Sequence, residues 1–372
     1  MLQLLLGGSG SGKTTLLYQR IRTRAEKGEK SILLVPEQFT SSTEGRIYRE
    51  LGDALSGMVE SFSFTSLAEK ILSTEGGAAV QTLSDAGRAV LVRRALEELQ
   101  DNVHYYHRHR RSAAFCQMAA QTIDELKSAG LSGQQLAQLA SACGAESGKL
   151  SELALIFQGY ETLLARSGMD PSDRLELAGA RLEEALARHS LPEFLRDRAV
   201  FIDEFDTFNA PKKRLLGAML AALPSVTVAL CDDGAPLLPG DLSLFSGAKQ
   251  VAAQLRQLAR KNGAEVAVPQ LLRKDLRHRN APGLAAVAEL LETGSCTADA
   301  PAGEVRLFAA PSREEEARAA AGAIRRLMRQ GVRCGKIAVV CRDIAKYRAA
   351  VRYEFRMAEI PLYCDEPTTP EF

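Results

Sequence analysis

Four residues near the start of the chain have the types and spacing to bind phosphate. Gly7, Gly12, Lys13 and Thr14 fit G-x-x-x-x-G-K-[ST] without mismatch. An apolar run of strand length, Leu2–Leu6, precedes them and good helix formers follow from Lys13, the setting in which the pattern has mechanical meaning. Glycines let the backbone curl so that successive N–H groups point at phosphate oxygens, and a helix N-terminus adds its positive dipole end. Gly8, Ser9, Gly10, Ser11, Gly12, Lys13, Thr14 and Thr15 are therefore the expected contacts of ATP. Lys13 is expected to neutralise the β/γ-phosphates and the Thr14 hydroxyl to ligate Mg²⁺. The plainer alternative is a Gly-rich turn, which the strand–loop–helix setting disfavours.

A second candidate, Asp203-Glu204, ends the apolar run Ala199–Ile202. Downstream of a phosphate loop, Asp203 is expected to hold Mg²⁺ through water and Glu204 to polarise the attacking water. The alternative is a strand-end pair capping the helix that Pro211 would start.

Positioning these groups calls for a parallel sheet. Lys13–Lys27 reads as a helix ended by Gly28, Ser31–Pro36 as a buried strand, Ser41–Leu51 as a helix, Met58–Phe62 as a strand and Ser66–Leu72 as a helix. Val226–Leu230 is a further strand, ending in Cys231-Asp232-Asp233. Repeated β–loop–α units argue for an α/β fold with ligands at the carboxyl ends of the strands. Between Leu83 and Leu191 helical periodicity takes over, at Ala86–Leu99, Ala113–Ala129, Gly133–Ala142, Ser151–Ser167 and Asp173–Arg188, as expected of an insertion in the α/β domain.

Two basic stretches stand out. His104–Arg111 (HYYHRHRR) interleaves tyrosine and arginine, which suits base stacking and phosphate pairing; the blander reading, a solvated loop between helices, is preferred. Leu271–Arg279 (LLRKDLRHR) is equally an exposed face. Ala235–Gly247 and Asn262–Val268 read as loops, and Thr293–Gly303 as a linker. A new β–α–β comes next, with strand Val305–Ala309, helix Arg313–Gln330 and strand Lys336–Cys341, then Arg342 and a helix at Ile344–Met357.

Composition sets the bounds. At 372 residues the chain suggests two or three domains, and 46% apolar with 25% charged residues is ordinary for a globular protein. A net charge of +1 neither favours nor excludes nucleic acid, so such a surface must be a local patch. Seven cysteines without C-x-x-C spacing read as reduced thiols of a cytoplasmic protein. No apolar run approaches the ~18 residues of a membrane span, and Leu2–Leu6 lacks the flank of a signal peptide.

With Lys13, Asp203-Glu204 and Arg342 in view, the chain resembles the amino-terminal part of a superfamily 1 DNA helicase. More closely, it resembles the B subunits of bacterial AddAB-type ATP-dependent helicase–nucleases. The strings that carry the likeness are GGSGSGKTT at the start, LVPEQFTSSTE at Leu34–Glu44, SFSFTSLAEKIL at Ser61–Leu72 and DELK at Asp124–Lys127. FIDEFDTF at Phe201–Phe208, KIAVVCRD at Lys336–Asp343 and IPLYCDE at Ile360–Glu366 complete the set. LVPEQFT is the most discriminating, and the likeness is loosest in the central helices.

The resemblance implies a RecA-like, P-loop NTPase first motor domain at 1–80 plus 195–300, a helical insertion at 81–194 and the incomplete start of a second RecA-like domain at 304–372. It implies single-stranded DNA near Pro36–Thr40 and an Arg342 guanidinium that reaches the γ-phosphate from the second domain, so that Glu204 and Arg342 are the catalytic candidates. It also implies DNA ends as substrate and a helicase–nuclease A subunit as heterodimer partner. The family's nuclease domain, with its cysteine-bound iron–sulfur cluster, has no match here, so a fragment, or a protein without that half, is expected.

Three motifs depart from the helicase pattern. Asp232-Asp233-Gly234 lacks the Gln that serves as γ-phosphate sensor, no adenine-reading Gln precedes the phosphate loop, and the acidic motif reads DEFDTF where DEFQDT is usual. Two functions therefore stay open beside each other: an ATP-hydrolysing helicase-like subunit of a double-strand-end-processing exonuclease, and a motor-inactive DNA-scanning scaffold in which ATP is structural or regulatory. An unrelated P-loop enzyme such as a small-molecule kinase accounts for neither the insertion nor Arg342.

Overall fold

The computed structural model describes residues 1–79, 81–99, 101–144, 147–296 and 304–364. The chain divides into two compact units, Met1–Ala298 and Asp299–Phe372.

The first unit is built on a six-stranded parallel sheet: β1 (Leu2–Gly7), β2 (Ser31–Leu34), β3 (Val59–Phe62), β4 (Ala199–Ile202), β5 (Ser225–Cys231) and β6 (Gln270–Leu272). The strand order is β3-β2-β4-β5-β1-β6. Leu2 to Gly7 of β1 lie opposite Val226 to Cys231 of β5, so both strands run out at the same level. Ile202 of β4 sits opposite Val228, which leaves Asp203 at the carboxyl edge beside them. This is an α/β fold of the parallel kind expected from the strand–loop–helix repeats.

The central strands are mostly apolar because both faces of the sheet are covered there. Alternate residues point to opposite sides. Leu2, Leu4, Leu6, Ile32, Val200 and Val226 pack on one face, whereas Leu5, Leu33, Phe201 and Ala229 pack on the other. The second face is covered by α1 (Lys13–Glu26) and α2 (Thr40–Leu51), the latter leading through the short α3 (Asp53–Ser56) into β3. The first face is covered by α4 (Phe64–Glu75) and by helices that come later in the chain.

Between α4 and β4 run five helices: α5 (Asp85–Glu98), α6 (Ala113–Ser128), α7 (Gly133–Ser141), α8 (Ser147–Ser167) and α9 (Pro171–Ala187). α5 to α8 enclose a core of their own around Leu96, Phe115, Ile123, Phe157 and Tyr160. α9 instead gives Leu175, Ala178 and Leu182 to the sheet-side core, and its Arg174 pairs with Glu69 of α4. A polar knot ties the two parts together. Lys127 of α6 donates to Asp170 and Asp173 at the start of α9, both at 2.8 Å, and the Tyr160 hydroxyl donates to Asp170 at 2.6 Å. The string DELK is thus a structural clamp.

α10 (Ala210–Ala222) and α11 (Ser246–Lys261) complete the first face. β6 and α12 (Pro282–Thr293) occupy sequence that reads only as a basic surface and the stretch after it. The linker expected at Thr293–Gly303 lies largely outside the described residues.

In the second unit α13 (Arg313–Arg329) and α14 (Ile344–Met357) pack through Ala321, Ile324 and Phe355, with Ile360 just past α14 joining them. The strands expected at Val305–Ala309 and Lys336–Cys341 do not form: neither segment pairs with a strand among the described residues, and Leu307 and Val340 stand exposed. A lone extended segment has no ladder partner for its backbone groups, so local apolar character is not enough to make it a strand. No described helix is long and apolar enough to cross a membrane.

Candidate nucleotide site

The carboxyl ends of β1, β4 and β5 open into one cavity of about 520 Å³, lined by Ser9, Gly12, Lys13, Thr14, Asp203 and Glu204 among others. β1 stops at Gly7, and the chain turns through Gly10 and Gly12, whose left-handed φ angles of 80° and 89° favour glycine. A Cβ on Gly7 would also stand 2.6 Å from the Leu272 carbonyl oxygen, so the loop fits tightly under β6. Gly12 is the N-cap of α1 and has no side chain to accept from the first-turn N–H groups. Those groups lack intrahelical partners in any helix and are here left for a ligand.

Lys13 donates to the Gly7 and Gly8 carbonyl oxygens, both at 2.8 Å, which holds its ammonium over the loop. Burial lowers its pKa, against the opposing pull of Cys231 and Asp203. Asp203 is buried; desolvation raises its pKa, while hydrogen bonds from the Thr14 hydroxyl and the Glu204 N–H work the other way. A buried carboxylate bonded to the phosphate-loop threonine fits a Mg²⁺ site, because a cation there would relieve the cost that burial imposes.

Glu204 lies on the exposed lip and adopts a left-handed φ of 64°. Such a backbone costs about 1–3 kcal/mol in a non-glycine residue and aims this carboxylate back toward the cavity it lines. Partial desolvation and then the Asp203 charge raise its pKa. The helix-capping alternative for the acidic pair fails: the N-cap of α10 is Asn209, whose side chain accepts from the Lys212 N–H at 3.1 Å.

Two arginines at this cavity belong to no motif in the sequence. Arg277 follows β6; its guanidinium donates to the Ser9 hydroxyl at 3.0 Å, and the neighbouring Leu276 N–H donates to the Gly10 carbonyl oxygen at 3.0 Å. Arg46 comes from α2, lies 4.9 Å from the Tyr18 ring centroid, and draws down the pKa values of Asp203 and Glu204. The basic run Leu271–Arg279 is the only sequence signal for Arg277, and Arg46 has none.

The run Asp232-Asp233-Gly234 serves its own turn. The Asp232 carboxylate accepts the Gly234 N–H at 2.7 Å, and Asp233 pairs with Lys249 at 3.2 Å. The structure thus brings Gly8–Thr15, Asp203 and Glu204 together in the first unit. Arg342 is exposed in the second unit, just ahead of α14. Among the described residues the cysteines form no disulfide, and no cluster of metal-ligating side chains occurs.

Residues 4–288 match the family described as ADDB, N-terminal. The chain belongs to that family. Among its curated relatives are B subunits of ATP-dependent helicase/deoxyribonuclease from Desulforudis audaxviator, 33% identical over 378 residues, and from Symbiobacterium thermophilum, 32% identical over 393 residues. A third, of the same name, from Moorella thermoacetica, is 32% identical over 381 residues. These alignments take in 98–99% of this chain but only 32% of each relative. Within the ADDB N-terminal match fall the phosphate loop, the acidic pair, Arg46 and Arg277, whereas the second unit lies beyond it.

Proposed function

We propose that the chain is the nucleotide-binding, helicase-like part of a B-type subunit in a DNA helicase–exonuclease that processes double-strand ends for recombinational repair. The observation that carries this is the convergence of Lys13, Thr14, Asp203, Glu204 and Arg277 on one cavity at the carboxyl edge of a parallel sheet. Gly8–Thr15 cradle the phosphates, Lys13 and Arg277 face their charge, and Thr14 with Asp203 hold Mg²⁺. A divalent cation held there would supply positive charge against the phosphates. Glu204 orients a water for attack.

Residues 1–80 with 195–300 serve as the first motor domain, 81–194 as its insertion, and 304–372 as the beginning of a second. Arg342 is the candidate for the γ-phosphate contact that the family resemblance implies, a role suited to a permanently charged planar donor. An A-type subunit and DNA, single-stranded or at duplex ends, are the partners, and the cytoplasm is the compartment. The iron–sulfur cluster belongs to sequence outside this chain.

One observation favours the second reading, a motor-inactive scanning scaffold: Asp232 and Asp233 are engaged by their own turn and by Lys249, so the usual γ-phosphate sensor has no counterpart there. DNA-stimulated ATP hydrolysis separates the two. Stimulation that disappears in Lys13→Ala supports the motor; ATP binding without DNA-stimulated turnover supports the scaffold.

A further inference from the structure

The segment His104–Arg111 joins α5 to α6 and takes no part in the nucleotide cavity. It holds three histidines, three arginines and no carboxylate. Its backbone is fixed from below. The Glu152 carboxylate of α8 accepts the N–H groups of three successive residues: His104 and Tyr105 at 2.8 Å and Tyr106 at 3.2 Å. The Tyr106 and His109 rings lie against Phe115, with centroids 5.2 and 5.8 Å away. Tyr105 is 60% exposed; its ring stands edge-on to Tyr106 at 5.0 Å, and the Lys149 ammonium lies 6.0 Å from its centroid. Arg108 and Arg111 are exposed and Arg110 is half-buried. The carboxylates that end α5, Glu97 and Glu98, are paired with Arg93 and Arg94.

A protein with a net charge of +1 thus places three arginines and three histidines in the same eight-residue segment as one exposed aromatic ring held by its neighbours. A charged loop with no partner needs neither an anchored backbone nor an outward ring, whereas an unstacked base beside a phosphodiester chain uses both. We propose that this loop is a docking surface for single-stranded DNA, with Tyr105 stacking on a base and Arg108, Arg110 and Arg111 meeting backbone phosphates. The proposal rests on the reading of the chain as a DNA-processing subunit and adds a strand-binding surface on the helical insertion.

The test is binding of a labelled oligo(dT) to the whole 372-residue chain across a salt series. Replacing the three arginines together by alanine should lower the slope of log affinity against log salt by about 2, at ~0.7 for each single-strand phosphate that is no longer neutralised. Replacing all three by lysine should restore the slope. Tyr105→Ala should weaken binding on the order of tenfold at every salt concentration with the slope unchanged, and Tyr105→Phe should bind as wild type. Unaltered thermal unfolding of the variants establishes that the fold is intact.

Wild-type slope and affinity in the triple alanine variant would overturn the proposal, as would no measurable oligo(dT) binding by the wild-type chain at low salt. Loss of binding with the arginines but none with Tyr105→Ala would also overturn it, pointing to an acidic protein surface as the occupant. Mg·ATP affinity measured on the same samples keeps the two readings apart. Failure of the loop leaves that affinity untouched, and failure of the nucleotide site leaves the salt slope untouched.

Discussion

At the scale of single residues, the acidic pair and the phosphate loop are held in tension. Asp203 is almost wholly buried, and desolvation outweighs the help it receives from Thr14, Arg46 and Lys13, so its folded pKa lies above the ordinary value. The native state then keeps the Asp203 proton more readily than the unfolded chain does. Its contribution to stability is therefore most favourable below the unfolded pKa, declines as pH rises toward the folded pKa, and stays unfavourable above it. Asp203→Asn removes that burden. Thermal unfolding without nucleotide should show the variant gaining on the wild type as pH rises from about 4, then levelling off. A variant that loses ground over the same range would contradict this account of Asp203. Saturating Mg·ATP should reverse the order at neutral pH, because the wild type alone gains the metal.

Arg46 and Arg277 mark the limit of what single residues reveal. Lys13 and Thr14 are legible because local spacing alone marks them as candidates. Arg277 reaches Ser9 only after β6 has docked beside β1 and the chain has turned over the phosphate loop. Arg46 reaches Asp203 and Glu204 only because α2 packs on the sheet face below β4. Both depend on partners far away in sequence, which spacing does not encode.

At the scale of elements, legibility follows burial. β1, β2, β4 and β5 are covered on both faces and read as apolar runs, broken inside the strand only by Gln3 in β1 and Thr227 in β5. β6 is three residues long and half-buried, and its sequence carries no strand signal. Val305–Ala309 and Lys336–Cys341 err in the other direction, since their apolar patterns are those of strands but neither pairs with a strand among the described residues. α9 shows how an element can belong to one region by sequence and another by packing, and the Lys127 knot is what joins the two. Lys127→Ala would leave Asp170, only 1% exposed, without its cation. Breaking one side of a buried pair costs about 3–5 kcal/mol, so denaturant unfolding should register a loss of that order. A loss under about 1 kcal/mol would mean that the knot is incidental, since exposed ion pairs are worth no more than that.

At the scale of the whole molecule, the sheet gathers its functional loops on one edge, and the second unit carries Arg342 on its surface. Arginines that meet the transition state in phosphoryl transfer contribute 10³–10⁵ in rate. Arg342→Ala is expected to leave the Mg·ATP affinity of this chain unchanged and to reduce sharply any ATPase of the full-length complex that depends on this site. Steady-state hydrolysis by the complex, set beside a binding titration of the chain, checks both halves. A large loss of affinity in the chain would place Arg342 in ground-state binding instead.

The central claim, that Gly8–Thr15 with Thr14 and Asp203 form a Mg·ATP site, is tested most directly by calorimetric titration of Mg·ATP into the wild-type chain and its Lys13→Ala variant. A charge-assisted hydrogen bond contributes ~1.5–3 kcal/mol, and each 1.4 kcal/mol is about tenfold in affinity. The account therefore expects the variant to bind at least about tenfold more weakly. Equal affinities in the two proteins would contradict it.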